Sequence, residues 1–504
     1  MEVFYGLING FAIALTPINL LFCFLGAVLG TAVGVLPGLG PAATIALLLP
    51  IAYTIASPVT AIILMAGIFY GSMYGGSTTS ILLNLPGEAA SVVTCIDGYQ
   101  MARKGRAGVA LGIAAIGSFI AGTVGVIGLT LFAPPIAEFA LSFGPPEKFS
   151  LALVGLLMAV TLSGASIIKG LILMVIGLLL ASVGIDPISG KTRFSFGVIE
   201  LQSGFDFVTL AMGVFGLGEI FYNLESAAKA EIVTTRVGQI WPRKKDWLRS
   251  RWAMLRGTLI GFFIGIIPGG GAVISSLVSY AVEKKVSRHP EEFGKGAIEG
   301  VAGPESANNA ASSSSFIPLL TLGIPGNASI AMIFAALLIK GVTPGPFLLT
   351  EHPDIFWGVI ASMYLGNVML LVLNLPLVGV WVQLLRVPYG ILAPVVLLFT
   401  AIGSYSIQNQ AFDIYALIGF GIFGYMLRKL RFEPGPLVLA FVLGPMIEAS
   451  MRQSLLMSGG SFLIFLERPI SVSLIGIFAV LAIVQAAATL RKRPKIDPLK
   501  GVEP

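Results

Sequence analysis

One pattern occurs twice in this chain: G-x3-G-x3-G-x2-P-G-x-G. The first copy is Gly26, Gly30, Gly34, Pro37, Gly38 and Gly40, and the second is Gly257, Gly261, Gly265, Pro268, Gly269 and Gly271. The offset is 231 at both ends (257 − 26 and 271 − 40), and six positions in one register are hard to obtain by chance even among 61 glycines. Glycines four apart share one helix face and let a second backbone come close, which is how lipid-embedded helices pack. The Pro-Gly-x-Gly that follows ends the helix. Proline removes an N–H and disfavours helix just before it, and glycine takes backbone angles that other residues resist. In lipid such a break leaves unpaired backbone groups, so it is tolerated only inside protein or beside a water-filled cavity.

Composition fixes the setting. Of 504 residues, 56% are hydrophobic and 11% charged, where a soluble domain carries roughly 25% charged residues. The chain therefore reads as an all-α polytopic membrane protein. At about 20 residues per span its apolar runs allow roughly ten to twelve transmembrane helices. The net charge of +6 reflects basic loops between spans, which sets topology and gives no reason to expect a nucleic-acid partner. Cys23 and Cys95 make no disulfide framework or metal spacing. The N-terminal MEVFYGLINGFAIAL lacks a basic region ahead of its apolar run, so it does not read as a cleaved signal.

Basic loops orient the chain. Arg103, Lys104 and Arg106 mark one cytoplasmic loop, and Arg428, Lys429 and Arg431 mark another. The strongest such signal lies between the copies, where residues 225–256 hold Lys229, Arg236, Arg243, Lys244, Lys245, Arg249, Arg251 and Arg256. This gives repeat 1 at 18–224, a basic cytoplasmic linker at 225–256, repeat 2 at 257–490 and a cytoplasmic tail at 491–504, all within one carrier domain.

Two further correspondences extend the duplication. Ser77–Ser80 pairs with Ser312–Ser315 at an offset of 235 (315 − 80). Leu85-Pro86-Gly87-Glu88 pairs with Ile324-Pro325-Gly326-Asn327 at 239 (325 − 86), which implies a small insertion between them. The loops after equivalent breaks carry opposite charge bias, with Arg103–Arg106 set against Lys340 followed by Glu351, His352 and Asp354, and Tyr53–Pro58 set against Lys284, Lys285, Arg288 and Lys295. Opposite bias at equivalent loops indicates two inverted-topology repeats, with broken helices or re-entrant hairpins.

Paired breaks at corresponding positions of two inverted halves point to a secondary transporter and to its binding site. The alternative is two close helix crossings without a ligand. The candidate substrate- and ion-binding residues are those at the breaks and in the hydroxyl clusters beside them. They are Pro37, Gly38, Gly40, Ser77, Thr78, Thr79, Ser80, Asn84, Pro86 and Gly87 in the first copy. In the second they are Pro268, Gly269, Gly270, Gly271, Asn308, Asn309, Ser312, Ser313, Ser314, Ser315, Pro325, Gly326 and Asn327. Free N–H groups and the positive end of a half-helix suit a carboxylate. Hydroxyls and freed carbonyls also suit Na⁺, whereas a single hydroxyl more often bonds back to its own helix. Glu88 is either a functional acid or a helix cap, and Glu305 either helps bind a cation or faces a loop.

Other chemistry finds little support. Gly184–Thr192 resembles a phosphate-binding loop but has five residues between its glycines where four are needed. Ser166-Ile167-Ile168-Lys169 spells S-x-x-K without a companion motif. Only His289 and His352 are present, so no metal site and no His-based triad is expected. No catalytic residue or cofactor is expected beyond a coupling cation, Na⁺ or H⁺. An anion-permeable channel, an intramembrane enzyme and a carrier of another organic acid remain as alternatives.

At its motifs the chain resembles the TctA family, the large membrane subunits of tripartite tricarboxylate transporters. The resemblance rests on Gly34-Val35-Leu36-Pro37-Gly38-Leu39-Gly40-Pro41, Tyr74-Gly75-Gly76-Ser77-Thr78-Thr79-Ser80, Asn84-Leu85-Pro86-Gly87-Glu88, Ile267-Pro268-Gly269-Gly270-Gly271 and Gly323-Ile324-Pro325-Gly326-Asn327. It implies a carrier in a bacterial inner membrane working with a small TctB-like membrane subunit and a TctC-like periplasmic solute-binding protein. It also implies cation-coupled uptake of citrate or related carboxylates, and by looser analogy an elevator-like motion. The residues themselves do not name the carboxylate.

Overall fold

The computed structural model describes residues 1–36, 40–162, 166–186, 188–226, 239–269, 271–384 and 389–490. The first half runs through α1 (Glu2–Ala14), α2 (Pro17–Val35), α3 (Pro41–Thr54), α4 (Pro58–Leu83), α5 (Val92–Arg103), α6 (Ala107–Ala140), α7 (Pro145–Leu162) and α8 (Ile167–Ala181). A two-stranded antiparallel hairpin follows, β1 (Gly184–Ile185) and β2 (Thr192–Arg193), and then α9 (Phe207–Ala211) and α10 (Gly218–Ser226). The second half comprises α11 (Lys244–Ile266), α12 (Gly271–Val286), α13 (Glu299–Ser314), α14 (Phe316–Leu322), α15 (Ala328–Ile339), α16 (Leu348–Glu351) and α17 (Pro353–Asn374). It ends with α18 (Val378–Leu384), α19 (Tyr389–Gln408), α20 (Ala411–Lys429), α21 (Gly435–Met457), α22 (Ile464–Glu467) and α23 (Pro469–Leu490).

Among the described residues, seven helices are long and apolar enough to cross a membrane. Shorter apolar helices, α3 and α15 among them, account for further apolar runs. The reason is local: proline starts α2, α3, α4 and α17 at the first helical turn, where its missing N–H costs nothing. Runs that read as single spans are therefore cut by proline and glycine into helical pieces.

The two glycine helices pack in the same way. A Cβ on Gly26, Gly30 or Gly34 of α2 would stand closer than 3.0 Å to the carbonyl oxygens of Leu64, Ile68 and Ser72 of α4 respectively. In the second copy Gly257, Gly261 and Gly265 of α11 meet the carbonyls of Gly303, Ala307 and Ala311 of α13. Both crossings are parallel, since both numbers of each pair rise together. Lipid tails are as apolar as the side chains, so this backbone contact, rather than burial from water, holds such helices together.

The partner helices α4 and α13 form the centre. Every residue from Val59 to Leu82 is buried, as is every residue of α13. They run antiparallel: the Phe69 ring meets Phe316 at 6.0 Å, while Ser77 reaches Glu305. Equivalent helices of the two copies thus point in opposite directions.

Each glycine helix and its successor form a hairpin. Thr60, at the start of α4, donates to Asn19, near the start of α2, at 2.6 Å, so α3 has brought the chain back to the end where α2 began. Likewise Arg249, early in α11, bonds Glu299 at the start of α13 at 2.9 Å. The far end of each copy then lands on the hairpin base of the other. Lys104 Nζ, after α5, donates to the Lys295 carbonyl at 2.6 Å, and Lys340 Nζ, after α15, donates to the Tyr53 carbonyl at 2.7 Å.

One local reading differs from the structure. Residues 244–256, assigned by charge to the linker, form the first half of α11, capped by Asp246 on the Arg243 N–H at 3.0 Å. Their arginines pair with carboxylates of the same copy: Arg249 with Glu299, and Arg256 with Glu283, whose side chain is fully buried. The run 355–384 divides into α17 and α18. Ahead of α2, α1 packs Gly6 and Gly10 against Trp357 of α17.

Candidate functional site

The second Pro-Gly break of each copy is built from the same parts. Asn84 (φ 58°) and Gly323 (φ 67°) take the left-handed conformation that ends α4 and α14, one that asparagine and glycine adopt at little cost. Pro86-Gly87 and Pro325-Gly326 follow. Glu88 and Asn327 then cap the next helical segment, accepting from the Ala90 N–H at 2.6 Å and the Ile330 N–H at 3.0 Å. The offset is 239 at every one of these positions, and also between Leu64 and Gly303 at the glycine crossings.

That constant offset corrects one sequence pairing. Ser77–Ser80 and Ser312–Ser315, aligned at 235, lie one helical turn out of register, since Tyr74 is the structural counterpart of Ser313, and Ser77 of Phe316. The insertion that moves the offset from 231 to 239 falls earlier, between the first break and the helix that follows its hairpin. Near-identical Ser/Thr runs on a helix align by composition as readily at one turn as at the next.

The breaks themselves are tightly packed. A Cβ on Gly87 would overlap the Gly34 carbonyl and come within 2.7 Å of the Gly76 Cα, so three glycines meet at one point. Thr79 donates to the Val35 carbonyl at 2.6 Å, satisfying an acceptor freed by the end of α2. In the second copy the Gly269 N–H (φ 82°) donates to the Gly326 carbonyl at 2.6 Å, joining its two breaks. Pro268 lies against Gly326, and Gly271 (φ 48°) opens α12. Pro37, Gly38 and Gly270 lie outside the described residues. The Gly40 N–H, at the start of α3, faces the Glu219 carboxylate, which Arg428 holds at 2.7 Å.

The hydroxyls divide into two groups. Ser312, Ser313, Ser314 and Ser315 bond to carbonyls of their own helix, at Asn308, Asn309, Ala311 and Ser312. Ser313 also reaches the Gly122 carbonyl of α6 at 3.3 Å. Ser80 bonds back to Gly76 and across to Ser91 of the cap, both at 2.9 Å, and Thr78 is buried beside it. The groups that reach between the copies are Ser77, Asn308, Asn309 and Ser313.

Two of those groups, Ser77 and Asn308, bind buried carboxylates. Ser77 Oγ donates to Glu305 Oε2 at 2.6 Å, and Thr94 Oγ1 donates to Glu305 Oε1. Asn308 Nδ2 donates to Glu88 Oε1 at 3.1 Å, opposite the Ala90 N–H on Oε2. Asn309 Nδ2 reaches Ser118 of α6 at 2.7 Å. Glu88 and Glu305 are 5% and 1% exposed. Among the described residues neither forms an ion pair, whereas Glu147, Asp186, Glu219, Asp246, Glu283 and Glu299 each face an arginine.

Sequence reasoning noted Glu88 and Glu305 but had no reason to join them, and it missed Thr94, Ser91 and Ser118. The available signal was spacing: Glu305, Asn308 and Asn309 stand at i, i+3 and i+4 on one helix face, as do Ser91 and Thr94. A cavity of about 760 Å³, lined by Ile185, Ile199, Gln202, Gln410 and Tyr415 among others, holds none of the predicted site residues. His289, Glu291 and Glu292 place their ligand atoms within 4.8 Å of one another on an exposed loop, and Glu292 is already held by Arg249 at 2.7 Å.

Comparison with known proteins agrees with this arrangement. The family model described as "Tripartite tricarboxylate transporter TctA family" matches residues 20–439. The chain is 51% identical over 497 residues to an uncharacterized 52.8 kDa protein of the TAR-I ttuC′ 3′ region of Agrobacterium vitis, covering 98% of this chain and 99% of that protein. It is also 51% identical over 233 residues to a protein of the TAR-II ttuC′ 3′ region of the same organism, covering 46% of this chain and 96% of that one. No solved structure matches it. Duplicated glycine helices, antiparallel partners and a family match across both copies lead to one conclusion: the chain is a multi-pass membrane protein of the tripartite tricarboxylate transporter TctA family.

Proposed function

We propose that this chain is the carrier subunit of a three-component uptake system of a bacterial inner membrane, with its C-terminus in the cytoplasm. A TctC-like periplasmic protein delivers citrate or a related carboxylate, a small TctB-like membrane subunit completes the complex, and a Na⁺ or H⁺ gradient drives transport. One observation carries this reading beyond the family: two copies of a broken-helix unit, with their equivalent helices antiparallel, meet at a buried polar cluster. Inverted halves of this kind let a central site face either side by moving one part against the other. The breaks supply N–H groups at the starts of α12 and α15, and the dipole of each half-helix favours an anion. Four of the predicted hydroxyls, Ser312–Ser315, bond to their own helix, so the breaks carry more of this reading than the serine run does.

The test is uptake of labelled citrate by proteoliposomes holding this chain and its membrane partner, with purified binding protein outside and a Na⁺ or pH gradient imposed. Uptake that saturates and requires both the binding protein and a gradient supports the carrier. Flux that rises linearly with citrate and ignores the binding protein would identify a channel instead.

A further inference from the structure

The geometry points to Glu88, Glu305 and Asn308 as the binding site for the monovalent cation that drives transport, with Ser77 and Thr94 completing its oxygen shell. The inference rests on the carrier reading above and assigns that reading a specific place between the copies.

Two carboxylates sit in the interior with no lysine, arginine or histidine paired to either among the described residues. An isolated buried carboxylate is far too costly to persist, so such a group binds a proton or a cation. An intramembrane ionisable group of this kind is functional by default. Elsewhere this chain places arginine beside its buried acids, as Arg256 beside Glu283 and Arg468 beside Glu147. Here it supplies hydroxyls, an amide and one backbone N–H, and no base among the described residues.

Asn308 is 1% exposed and spends its Nδ2 on Glu88, yet its Oδ1 has no partner. A buried amide oxygen without a donor is rare and needs a reason. Its Nδ2 touches Glu88, and Asn308 stands three residues after Glu305 on one face of α13, so the free amide oxygen lies in the same part of the interior as the two carboxylates. With both carboxylates and the lone pairs of Ser77 and Thr94 it forms an all-oxygen set, which hard cations prefer. The remaining titratable side chain whose charge reaches the pair is Cys95 of α5.

Glu88 caps the segment after the break of the first copy, while Glu305 and Asn308 sit on the central helix of the second. Filling the site therefore ties the two copies together, and emptying it leaves two like charges between them. A cation bound here would thereby change the freedom of one copy to move against the other.

The purified full chain in detergent tests this without substrate or partners. Its thermal unfolding would be followed from 0 to 200 mM NaCl, with choline chloride holding ionic strength, at several pH values. A midpoint that rises with Na⁺ in wild type, and loses that response in Glu305→Gln and Asn308→Ala, supports the site with Na⁺ as occupant. A response to pH and not to Na⁺, lost in Glu88→Gln and Glu305→Gln, supports it with a proton. Variants that respond like wild type, or a wild type indifferent to both, overturn it. If a Gln variant does not fold, Ser77→Ala carries the test through a threefold or greater rise in the half-saturating cation concentration. Because this readout needs no transport, its failure is distinct from failure of the uptake assay.

Discussion

Adding one methyl group to a crossing glycine has a sign that depends on the glycine. On Gly30 the new Cβ would stand 2.5 Å from the Ile68 carbonyl oxygen and 2.9 Å from the Ile68 Cα. Ordinary contact begins at 3.4 Å, so α2 and α4 must separate by 3.4 − 2.5 = 0.9 Å along that line. Both obstacles are backbone and cannot swing aside. A gap of about 0.5–1 Å forfeits a quarter to a half of the dispersion energy of each affected atom pair, and overpacking of this kind costs about 1–3 kcal/mol. Alanine returns about 0.5–1 kcal/mol through its better helix propensity. Gly30→Ala is therefore expected to destabilise by about 0.5–2 kcal/mol. Gly261→Ala, whose Cβ would lie 2.7 Å from the Ala307 Cα, is expected to match it because the two sites are equivalents. Gly419 of α20 has nothing within 4 Å, so Gly419→Ala should stabilise by about 0.5–1 kcal/mol. In a chain of this length the shifts amount to about 1–2 °C per kcal/mol, scaling from shorter domains. A thiol-reactive dye reads the melt, since Cys23 is fully buried and reacts as the helices open. If Gly30→Ala and Gly261→Ala melt at or above wild type, the close crossing is not what holds these helices together.

Other positions test other parts of the fold. Arg256→Ala strands the fully buried Glu283 without its partner; a loss of about 3 kcal/mol is expected, read as a lowered midpoint that Glu283→Gln partly restores in the double variant. At the equivalent left-handed caps, Asn84→Gly should lie within about 0.5 kcal/mol of wild type, whereas Gly323→Ala should cost about 2 kcal/mol. Its Cβ would also press on the Pro344 carbonyl, and equal melting of the two variants would contradict the assignment. In the hairpin, the Asp186 carboxyl is held well below the ordinary carboxylate range by the Ile188 N–H, the Ser189 hydroxyl and Arg452. Its contribution is complete above the unfolded carboxyl's range, about pH 4, and is lost as pH falls through the depressed folded value. Hydrogen exchange of residues 184–193 should therefore quicken on acidification in wild type. In Asp186→Asn it should be fast at neutral pH already, and an acid response unchanged by that variant would refute the assignment.

Much of the architecture was legible because glycine and proline act locally. The glycine repeats announce a close helix crossing wherever they occur, and the structure places a backbone carbonyl over each of the six. The Pro-Gly breaks announce helix ends in the same way. What hid from sequence were features set by tertiary context. Residues 244–256 read as linker because charge dominates them, yet their arginines are compensated across space by Glu283 and Glu299, so the helix extends through them. The hydroxyl clusters looked equivalent because similar residues recur, whereas the chain is registered by its caps, Asn84 with Gly323 and Glu88 with Asn327.

The candidate site was the least legible part, for a reason that α13 makes plain. Its sequence, EGVAGPESANNAASSS, is polar enough to pass for an exposed helix or a loop, and its neighbours in sequence give no hint that every residue is buried. Burial is affordable only because the polar groups are satisfied from three directions. Ser77 of α4 and Thr94 of α5 reach Glu305, Ser118 of α6 receives Asn309, and Ser312 and Ser313 turn back to their own carbonyls. Satisfaction is nearly complete among the described residues: on α13 the exceptions are Ser306 Oγ and Asn308 Oδ1, and the second belongs to the amide that touches Glu88, one of two carboxylates left without a base. Had the chain only needed to close its centre, leucine or alanine at these positions would have done so without the desolvation cost. Two acids retained there, at the crossing of two copies that run in opposite directions, are best accounted for by something that comes and goes. The cation proposed for this site meets that description.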